Sequence, residues 1–202
     1  MSDTQIATDN LLRQVLDEYG GRISIDGGSK ILTSGTDVAT SIAEATTAVR
    51  TPYGPTITIA STTPEKEDAG AIPGGNASIS PLAELKMDHF THAVFGVASE
   101  DPKYILQGLK HMVYALQPKG IAIVISLKQR TGEADEQGKF TVGLEDKIKY
   151  QSRGKAEKLT DVLEYAGFER GKIRSFEMAT EVRGEKVEAE VVLAMKWDQL
   201  TA

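Results

Sequence analysis

The chain has 202 residues, of which 40% are hydrophobic and 26% are charged, a balance that excludes a disordered or membrane-embedded class. The formal net charge of −6 disfavours nucleic acid as a partner, because an acidic surface repels phosphates. With no cysteine, the sequence excludes disulfides, thiolate metal ligands, iron–sulfur clusters and a cysteine nucleophile.

The N-terminal segment is predicted to be a helix that leads into a single domain. Apolar residues from Leu11 to Tyr19 follow Asp9 at helical spacing, and Gly20-Gly21 predicts the end of that helix. The first ten residues lack the basic start and apolar core of a signal peptide, and the longest apolar stretch, Gly120–Leu127, is too short to cross a bilayer. We therefore expect a cytoplasmic protein with no membrane partner, folded as one domain over 1–202 with 1–28 as a helical extension.

The next segment has the pattern of a strand, a helix and a second strand. Lys30–Thr33 is β-prone, the turn Ser34-Gly35-Thr36 follows it, Asp37–Val49 is compatible with a helix, and Thr56–Ala60 is typical of a buried strand. The stretch from Ser61 to Gly75 is polar and rich in Thr, Pro and Gly, which predicts a surface loop or a mobile segment.

Alternation of strands and helices continues through the middle of the chain. An edge strand over Asn76–Ser80 and a helical turn over Pro81–Leu85 precede a strand over Thr91–Val97. A helix capped at 99–102 then carries apolar residues at intervals of three and four and ends at Gln117–Gly120. The nearly continuous apolar run Ile121–Leu127 predicts a central parallel strand.

The C-terminal third combines a long connection, a helix and a hairpin. The connection Lys128–Gln151 is polar, and a short strand is predicted at Lys139–Val142 within it. A helix is predicted at Lys155–Ala166. An antiparallel hairpin is predicted after it. Its strands are Lys172–Met178 and Lys186–Lys196, and its turn is Arg183-Gly184-Glu185.

Two local motifs carry a resemblance to a known family. The helix that closes with Ala166-Gly167-Phe168 before a hairpin, and Leu116-Gln117-Pro118-Lys119-Gly120 before the central strand, resemble the "AGF" and "LKPGG" steps of class I S-adenosylmethionine-dependent methyltransferases. The resemblance covers roughly residues 29–196. It implies an α/β, Rossmann-like fold, with a mainly parallel sheet flanked by helices and a C-terminal antiparallel hairpin.

The same resemblance implies where S-adenosylmethionine would bind. The family's glycine-rich turn after the first strand corresponds to Thr33–Asp37, and the candidate cofactor-binding residues are Ser34, Gly35, Thr36, Ser61 and Gly96. Only one glycine of that turn is present, although glycine is needed there for positive φ and for close approach of the ligand. The cofactor is therefore S-adenosylmethionine or none.

Other expected residues are also missing. The family carries an acid at the end of the second strand to bind the ribose hydroxyls, but Ala60-Ser61 is not acidic. Glu65, Glu67 and Asp68 could substitute only if the loop folds back. Thr91-His92 replaces an acid that often opens the fourth strand.

Several of these residues also have ordinary structural interpretations. Gly35 is more simply explained as a strand-to-helix turn than as a cofactor turn, and Asp37 is more simply explained as a helix N-cap than as a ligand. Asp88, His89 and His92 have a common spacing with no evident further ligand, so no metal site is predicted, and no catalytic residue is nominated.

Three functions remain open on this basis. The favoured hypothesis is a pseudoenzyme, a methyltransferase-like protein with an eroded cofactor site that acts as a non-catalytic interaction or scaffold module. It would bind a protein partner or associate with itself through the edge hairpin or the N-terminal helix. The alternative is an active S-adenosylmethionine-dependent methyltransferase acting on a small molecule. A different reaction in the same crevice is a third hypothesis, for which no residue is nominated.

Overall fold

The computed structural model describes residues 3–47, 54–74, 76–97, 105–130, 149–150 and 153–198. Helices and strands alternate along the chain in the predicted order. The elements are α1 (Asp3–Ile23), β1 (Lys30–Ser34), α2 (Gly35–Ala45), β2 (Thr56–Ser61), β3 (Ala77–Pro81), β4 (Phe90–Gly96), α3 (Ile105–Ala115), β5 (Leu116–Arg130), α4 (Leu159–Ala166), β6 (Arg174–Val182) and β7 (Glu185–Met195). Short 3-10 turns at Pro64–Lys66, Ala69–Ala71, Leu82–Glu84 and Arg170–Lys172 connect them.

The strands form one seven-stranded sheet in the order β3-β2-β1-β4-β5-β7-β6. Neighbouring strands from β3 to β5 pair in parallel, whereas β7 runs antiparallel to both β5 and β6. The predicted α/β fold, a mainly parallel sheet with a C-terminal antiparallel hairpin, is confirmed.

Helices cover both faces of this sheet, so that the core has two halves. On one face α1 and α2 bury Leu11, Leu12 and Ile42 against β-strand residues such as Ile59 and Ile123. On the other face α3 and α4 pack Leu109, Leu163 and their neighbours against the sheet. Removal of these branched side chains from water on both sides stabilises the central strands and explains their nearly continuous apolar sequence.

The N-terminal helix differs from its prediction at both ends. It begins at Asp3, places Asp9 in its buried interior, and continues through Gly20-Gly21 to Ile23. The two glycines are tolerated because the apolar face of α1, including Val15, is buried against the sheet and α2. The chain leaves the helix at Ser24, whose φ of 55° breaks the helical path. Because its apolar face is buried, α1 is part of the domain core.

The other helices are shorter than predicted. Helix α2 ends at Ala45, and residues 48–50 lie outside the described residues. Helix α3 ends at Ala115, because Leu116 already pairs with Phe90 of β4. Helix α4 begins at Leu159, where the Asp161 carboxylate accepts hydrogen bonds from the backbone N–H groups of residues 157 and 158 and caps the helix.

Two predictions fall on parts of the chain that the structure does not describe. The capping residues 99–102 and the short strand at 139–142 both lie outside the described residues. Among the described helices, none combines the length and the apolar content that a bilayer-spanning segment requires.

Candidate functional site

The candidate site lies where the strand order reverses. The chain runs from β1 outward through β2 to β3 and then returns to β4 on the other side of β1. In open α/β sheets, ligands bind beyond the carboxyl ends of the strands at such a switch point. The five predicted site residues all lie at this edge, at the ends of β1, β2 and β4 or the start of α2; they are Ser34, Gly35, Thr36, Ser61 and Gly96.

Ser34 and Gly96 join the ends of β1 and β4. The Gly96 backbone N–H donates to the Ser34 hydroxyl oxygen at 2.9 Å, and Ser34 is only 5% exposed. The hydroxyl extends the β1–β4 pairing beyond its last backbone register pair. Both groups are therefore committed to holding the two strands together at the switch point.

Gly35 makes the turn from β1 into α2. Its φ is +78°, a conformation that residues with a Cβ rarely adopt, so glycine is required at this position. Helix α2 begins at Gly35 itself, and Ser34 is its N-cap residue without a side-chain hydrogen bond to the helix. The prediction that Asp37 is the N-cap is wrong: Asp37 lies in the first turn and is exposed. The chain turns earlier because the glycine allows it.

The loop after β2 folds back over this turn and brings Glu67 to it. One carboxylate oxygen, Oε2, accepts hydrogen bonds from the Thr36 backbone N–H at 2.7 Å and from the Thr36 hydroxyl at 2.5 Å. The other oxygen, Oε1, accepts from the Ser61 hydroxyl at 3.0 Å. Glu67 thus links the start of α2 to the end of β2.

The network around Glu67 is consistent in its donors and acceptors. The Thr36 hydroxyl donates to Glu67 and accepts from the Asp68 N–H at 3.2 Å, while the Ser61 hydroxyl donates to Glu67 and accepts from the Thr63 N–H at 3.1 Å. A carboxylate that accepts three hydrogen bonds at a helix N-terminus is stabilised by charge-assisted bonding and by the helix dipole. The carboxylate therefore supplies the cap that the α2 terminus lacks.

The fold of the loop explains why Glu67 reaches this position. The Asp68 carboxylate accepts from the Gly70 N–H at 2.9 Å and opens a 3-10 turn, and Ile72 is 4% exposed in the core. These contacts anchor the described part of the loop, 62–74, which the sequence predicts to be a surface or mobile segment. Glu67 is one of the three acids that the sequence analysis names as substitutes for the ribose-binding acid if the loop folds back. The local Asp68-x-Gly70 signal supports a turn but does not select among the three acids.

A small pocket lies beneath the site. The described residues around the ends of β1, β2 and β4 line a partly open pocket of about 30 Å³ between the sheet and α3. Its lining includes Ser34, Ala60 and Phe95. Sites for cofactor-sized ligands typically measure about 300–1,000 Å³. A cavity of this size accommodates about one water molecule.

His92 lies at the opposite edge of the sheet and is fully engaged. Its Nε2 atom is 2.7 Å from the Ile23 carbonyl oxygen, to which it donates, and its Nδ1 atom is 2.8 Å from the Thr91 hydroxyl. Burial lowers the pKa of His92, while the hydrogen bond to Ile23 and the charge of Asp26 oppose that shift. With both ring nitrogens hydrogen-bonded within the fold, His92 serves to join α1 to β4.

Comparison with solved structures agrees with this architecture. The sequence matches no family model and no curated protein. The [4+2]-cyclase SpnF is similar to it with a TM-score of 0.56 at 14% identity, over 92% of this chain and 80% of that one. A Burkholderia thailandensis 1,6-didemethyltoxoflavin-N1-methyltransferase with bound S-adenosylhomocysteine is similar with a TM-score of 0.53 at 13% identity, over 95% and 79%.

A third similar structure is a SAM-dependent methyltransferase from Methanosarcina mazei, with a TM-score of 0.51 at 17% identity over 91% of this chain and 97% of that one. At these identities the similarity establishes the fold. The chain therefore has the class I S-adenosylmethionine-dependent methyltransferase fold, as the AGF and Leu116–Gly120 motifs imply.

Proposed function

We propose that this chain is a non-catalytic interaction or scaffold module built on a methyltransferase fold whose cofactor site is eroded. The observation that carries the proposal is the position of the Glu67 carboxylate on the Thr36 N–H and hydroxyl. That turn is where the family's cofactor would approach the backbone with its methionine moiety. An internal side chain holds the same donors here.

Three further features support an eroded site. The turn retains one glycine, the end of β2 carries Ser61 in place of an acid, and the pocket lined there by the described residues measures about 30 Å³. A carboxylate at the α2 terminus also repels a second carboxylate, such as the one on methionine, because like charges at contact distance are destabilising. In this arrangement the residues do not fit S-adenosylmethionine.

One observation favours the alternative of an active methyltransferase for a small molecule. Glu67 contacts Ser61 at the end of β2, the neighbourhood in which the family's ribose-binding acid is expected. If the side chain turned toward a bound ribose, Glu67 would serve as that acid. The two proposals therefore assign opposite effects to the same carboxylate.

Calorimetry with two variants distinguishes the proposals. Glu67→Ala removes the carboxylate at the turn, and Glu65→Ala removes an exposed carboxylate two residues away as a matched control. Each protein is titrated with S-adenosylmethionine and S-adenosylhomocysteine to millimolar concentration, and its far-UV circular dichroism is compared with that of the wild type. We expect no binding by the wild type or by Glu65→Ala. If any of the three proteins binds, it should be Glu67→Ala, in which the Thr36 N–H and hydroxyl are released.

Binding by the wild type would overturn the proposal of an eroded site. If Glu67→Ala then weakened it at least tenfold while Glu65→Ala did not, Glu67 would be the ribose acid of an active enzyme. If neither variant changed the affinity, the cofactor would bind by other residues. A transfer of radiolabelled methyl from S-adenosylmethionine to any small molecule would equally contradict a non-catalytic role.

The partner in this proposal is a second copy of the chain, in the cytoplasm. Large apolar side chains are exposed on three residues next to the ion pair between Lys196 and Asp88, whose atoms lie 2.7 Å apart. Two of the three adjoin the pair in sequence, and the carbonyl of the third accepts from the Asp88 N–H at 3.2 Å. They are Met87, Tyr114 and Trp197, and we call them the apolar patch. Large exposed apolar groups of this kind are typical of protein interaction surfaces.

A further inference from the structure

A second concave surface lies at the edge of the sheet opposite the candidate site. It is a groove of about 420 Å³ between the last turns of α1, the start of β6 and the end of β7. The volume lies within the range of small-molecule sites. We call this surface the basic groove, after residues Arg22, Lys172 and Arg174 in its lining.

The floor of the basic groove is apolar and partly aromatic. The rings of Tyr19 and Phe176 stack with centroids 4.7 Å apart and an interplanar angle of 30°. Leu193 and Met195 of β7 and Ile121 of β5 complete the floor. A flat apolar group placed there would lose water contact on one face and gain contact with the two rings.

The rim of the groove concentrates positive charge on an acidic protein. The whole chain has a net charge of −6, yet three cationic side chains line this one surface. Among the described residues, neither Arg22, Lys172 nor Arg174 has a carboxylate within ion-pair distance, whereas Arg170 and Arg183 nearby in the chain each have one. Arg174 donates one hydrogen bond to the Ile173 carbonyl, which leaves most of its guanidinium donors for a ligand.

Glu18 lies beside this surface, next to Tyr19 in sequence. Glu18 accepts a hydrogen bond from the Tyr19 hydroxyl at 2.9 Å, so its carboxylate is directed to that hydroxyl. The lining itself contains three cationic side chains and no acid, so its own charge is positive. Guanidinium groups bind carboxylates in a paired, planar geometry, and aromatic floors select flat bodies.

We propose that the basic groove binds a small organic anion with a flat apolar body, of the aromatic carboxylate class. The carboxylate would contact Arg22 and Arg174, and the ring system would lie against Tyr19 and Phe176. The site is separate from the Glu67 turn, at the other edge of the sheet, so this proposal is independent of the proposed function.

Titration followed by amide chemical shifts tests the proposal with 2-naphthoate as the probe. Its neutral analogue, 2-naphthalenemethanol, has the same ring system without the charge. We expect naphthoate to shift the amides of residues in the groove, such as Arg22, Gly171 and Phe176, and to bind at least tenfold more tightly than the alcohol. The preference should decrease as salt increases, because part of the attraction is between charges.

Two double variants distinguish the effect of positive charge in the groove from that of positive charge elsewhere on the protein. Arg22→Gln with Arg174→Gln removes two cations of the lining, and Arg170→Gln with Arg183→Gln removes two exposed arginines outside it. We expect the first pair to weaken naphthoate at least tenfold and the second to leave it within twofold. Equal affinity for acid and alcohol, equal effects of the two pairs, or shifts confined to other surfaces would each overturn the proposal. Far-UV circular dichroism establishes that each variant is folded before titration.

Discussion

At the scale of single residues, His92 couples ionisation to folding. The ring is 6% exposed, its Nε2 donates to the Ile23 carbonyl, and its Nδ1 faces the Thr91 hydroxyl. That hydroxyl also lies 3.1 Å from the Lys30 carbonyl. Because the hydroxyl has one proton, it donates either to His92 Nδ1 or to the Lys30 carbonyl. Burial lowers the pKa of His92 from its ordinary 6.5, so the folded protein favours the neutral ring.

The resulting prediction concerns stability against pH. As pH falls below 6.5, the unfolded chain binds a proton at this histidine before the folded chain does, so the free energy of unfolding decreases. The slope cannot exceed about 1.4 kcal/mol per pH unit for one proton. Urea unfolding between pH 7 and the onset of carboxylate titration measures it. In His92→Gln the slope should decrease, with a remainder from His89, whose pKa burial also lowers, whereas His111→Gln should retain the full slope; an unchanged slope in His92→Gln would contradict the prediction.

Gly35 and Glu67 differ in whether their roles depend on neighbouring residues or on distant ones. The need for glycine at position 35 follows from a turn between a strand and a helix, and the sequence predicts it. The role of Glu67 depends on a loop crossing from the end of β2 to the start of α2, 31 residues away in sequence from Thr36. The sequence named three acids as possible substitutes for the ribose-binding acid, and only the folded loop shows that one of them holds the α2 terminus.

At the scale of elements, Gly108 shows how α3 packs against β4. A Cβ at this position would lie 2.9 Å from Phe95 Cε2 and 3.2 Å from Cζ, and Phe95 is buried. By itself Gly108 weakens α3, because glycine within a helix costs about 1 kcal/mol relative to alanine. The contact with Phe95 shows instead that the glycine permits close approach of the helix to the sheet.

This contact predicts opposite effects of the same substitution in two helices. Gly108→Ala should lower the free energy of unfolding by about 1 kcal/mol, since overpacking costs about 1–3 kcal/mol and the gain in helix propensity offsets part of it. Gly21→Ala in α1, where no atom lies within 4 Å of the added Cβ, should raise it by about 0.5–1 kcal/mol. Chemical denaturation measures both. A stabilised Gly108→Ala would show that Phe95 moves aside without cost.

At the end of α4, adjacent residues determine the local structure. Gly167 ends α4 with a φ of +119°, and the Phe168 N–H donates back to the Leu163 carbonyl at 3.0 Å. Phe168 itself is 2% exposed in the core. The Ala166-Gly167-Phe168 motif therefore predicts both the end of the helix and the burial of the next residue, because a helix end and its hydrophobic anchor are encoded by adjacent residues.

At the scale of the whole molecule, the apolar patch is the surface proposed for self-association. Tyr114 and Trp197 are 50% and 55% exposed. The ion pair beside them is held in place because Lys196 Nζ donates both to the Asp88 carboxylate and to the Leu116 carbonyl. Local patterns in the sequence favour the N-terminal helix or the edge hairpin for this role. The apolar face of α1 is already buried.

Light scattering across concentration tests this surface. Tyr114→Glu with Trp197→Glu places two charges in the apolar patch, and Tyr150→Glu with Tyr165→Glu places two charges on exposed tyrosines outside it. The wild type and the second pair should form a dimer as concentration rises to the high micromolar range, and the first pair should stay monomeric. A monomeric wild type, or equal association of both pairs, would contradict self-association through the patch.

The sequence alone determined the order of the elements, the mainly parallel sheet, the terminal hairpin and the edge at which the five site residues meet. The elements and the sheet follow from periodicity and turn residues, which act over short stretches of chain, whereas the five site residues follow from the resemblance to the methyltransferase family. The tertiary structure decided that α1 belongs to the core, that Gly108 serves packing, and that Glu67 holds the α2 terminus. Each of these depends on contacts between residues far apart in sequence, whose distance no local pattern specifies.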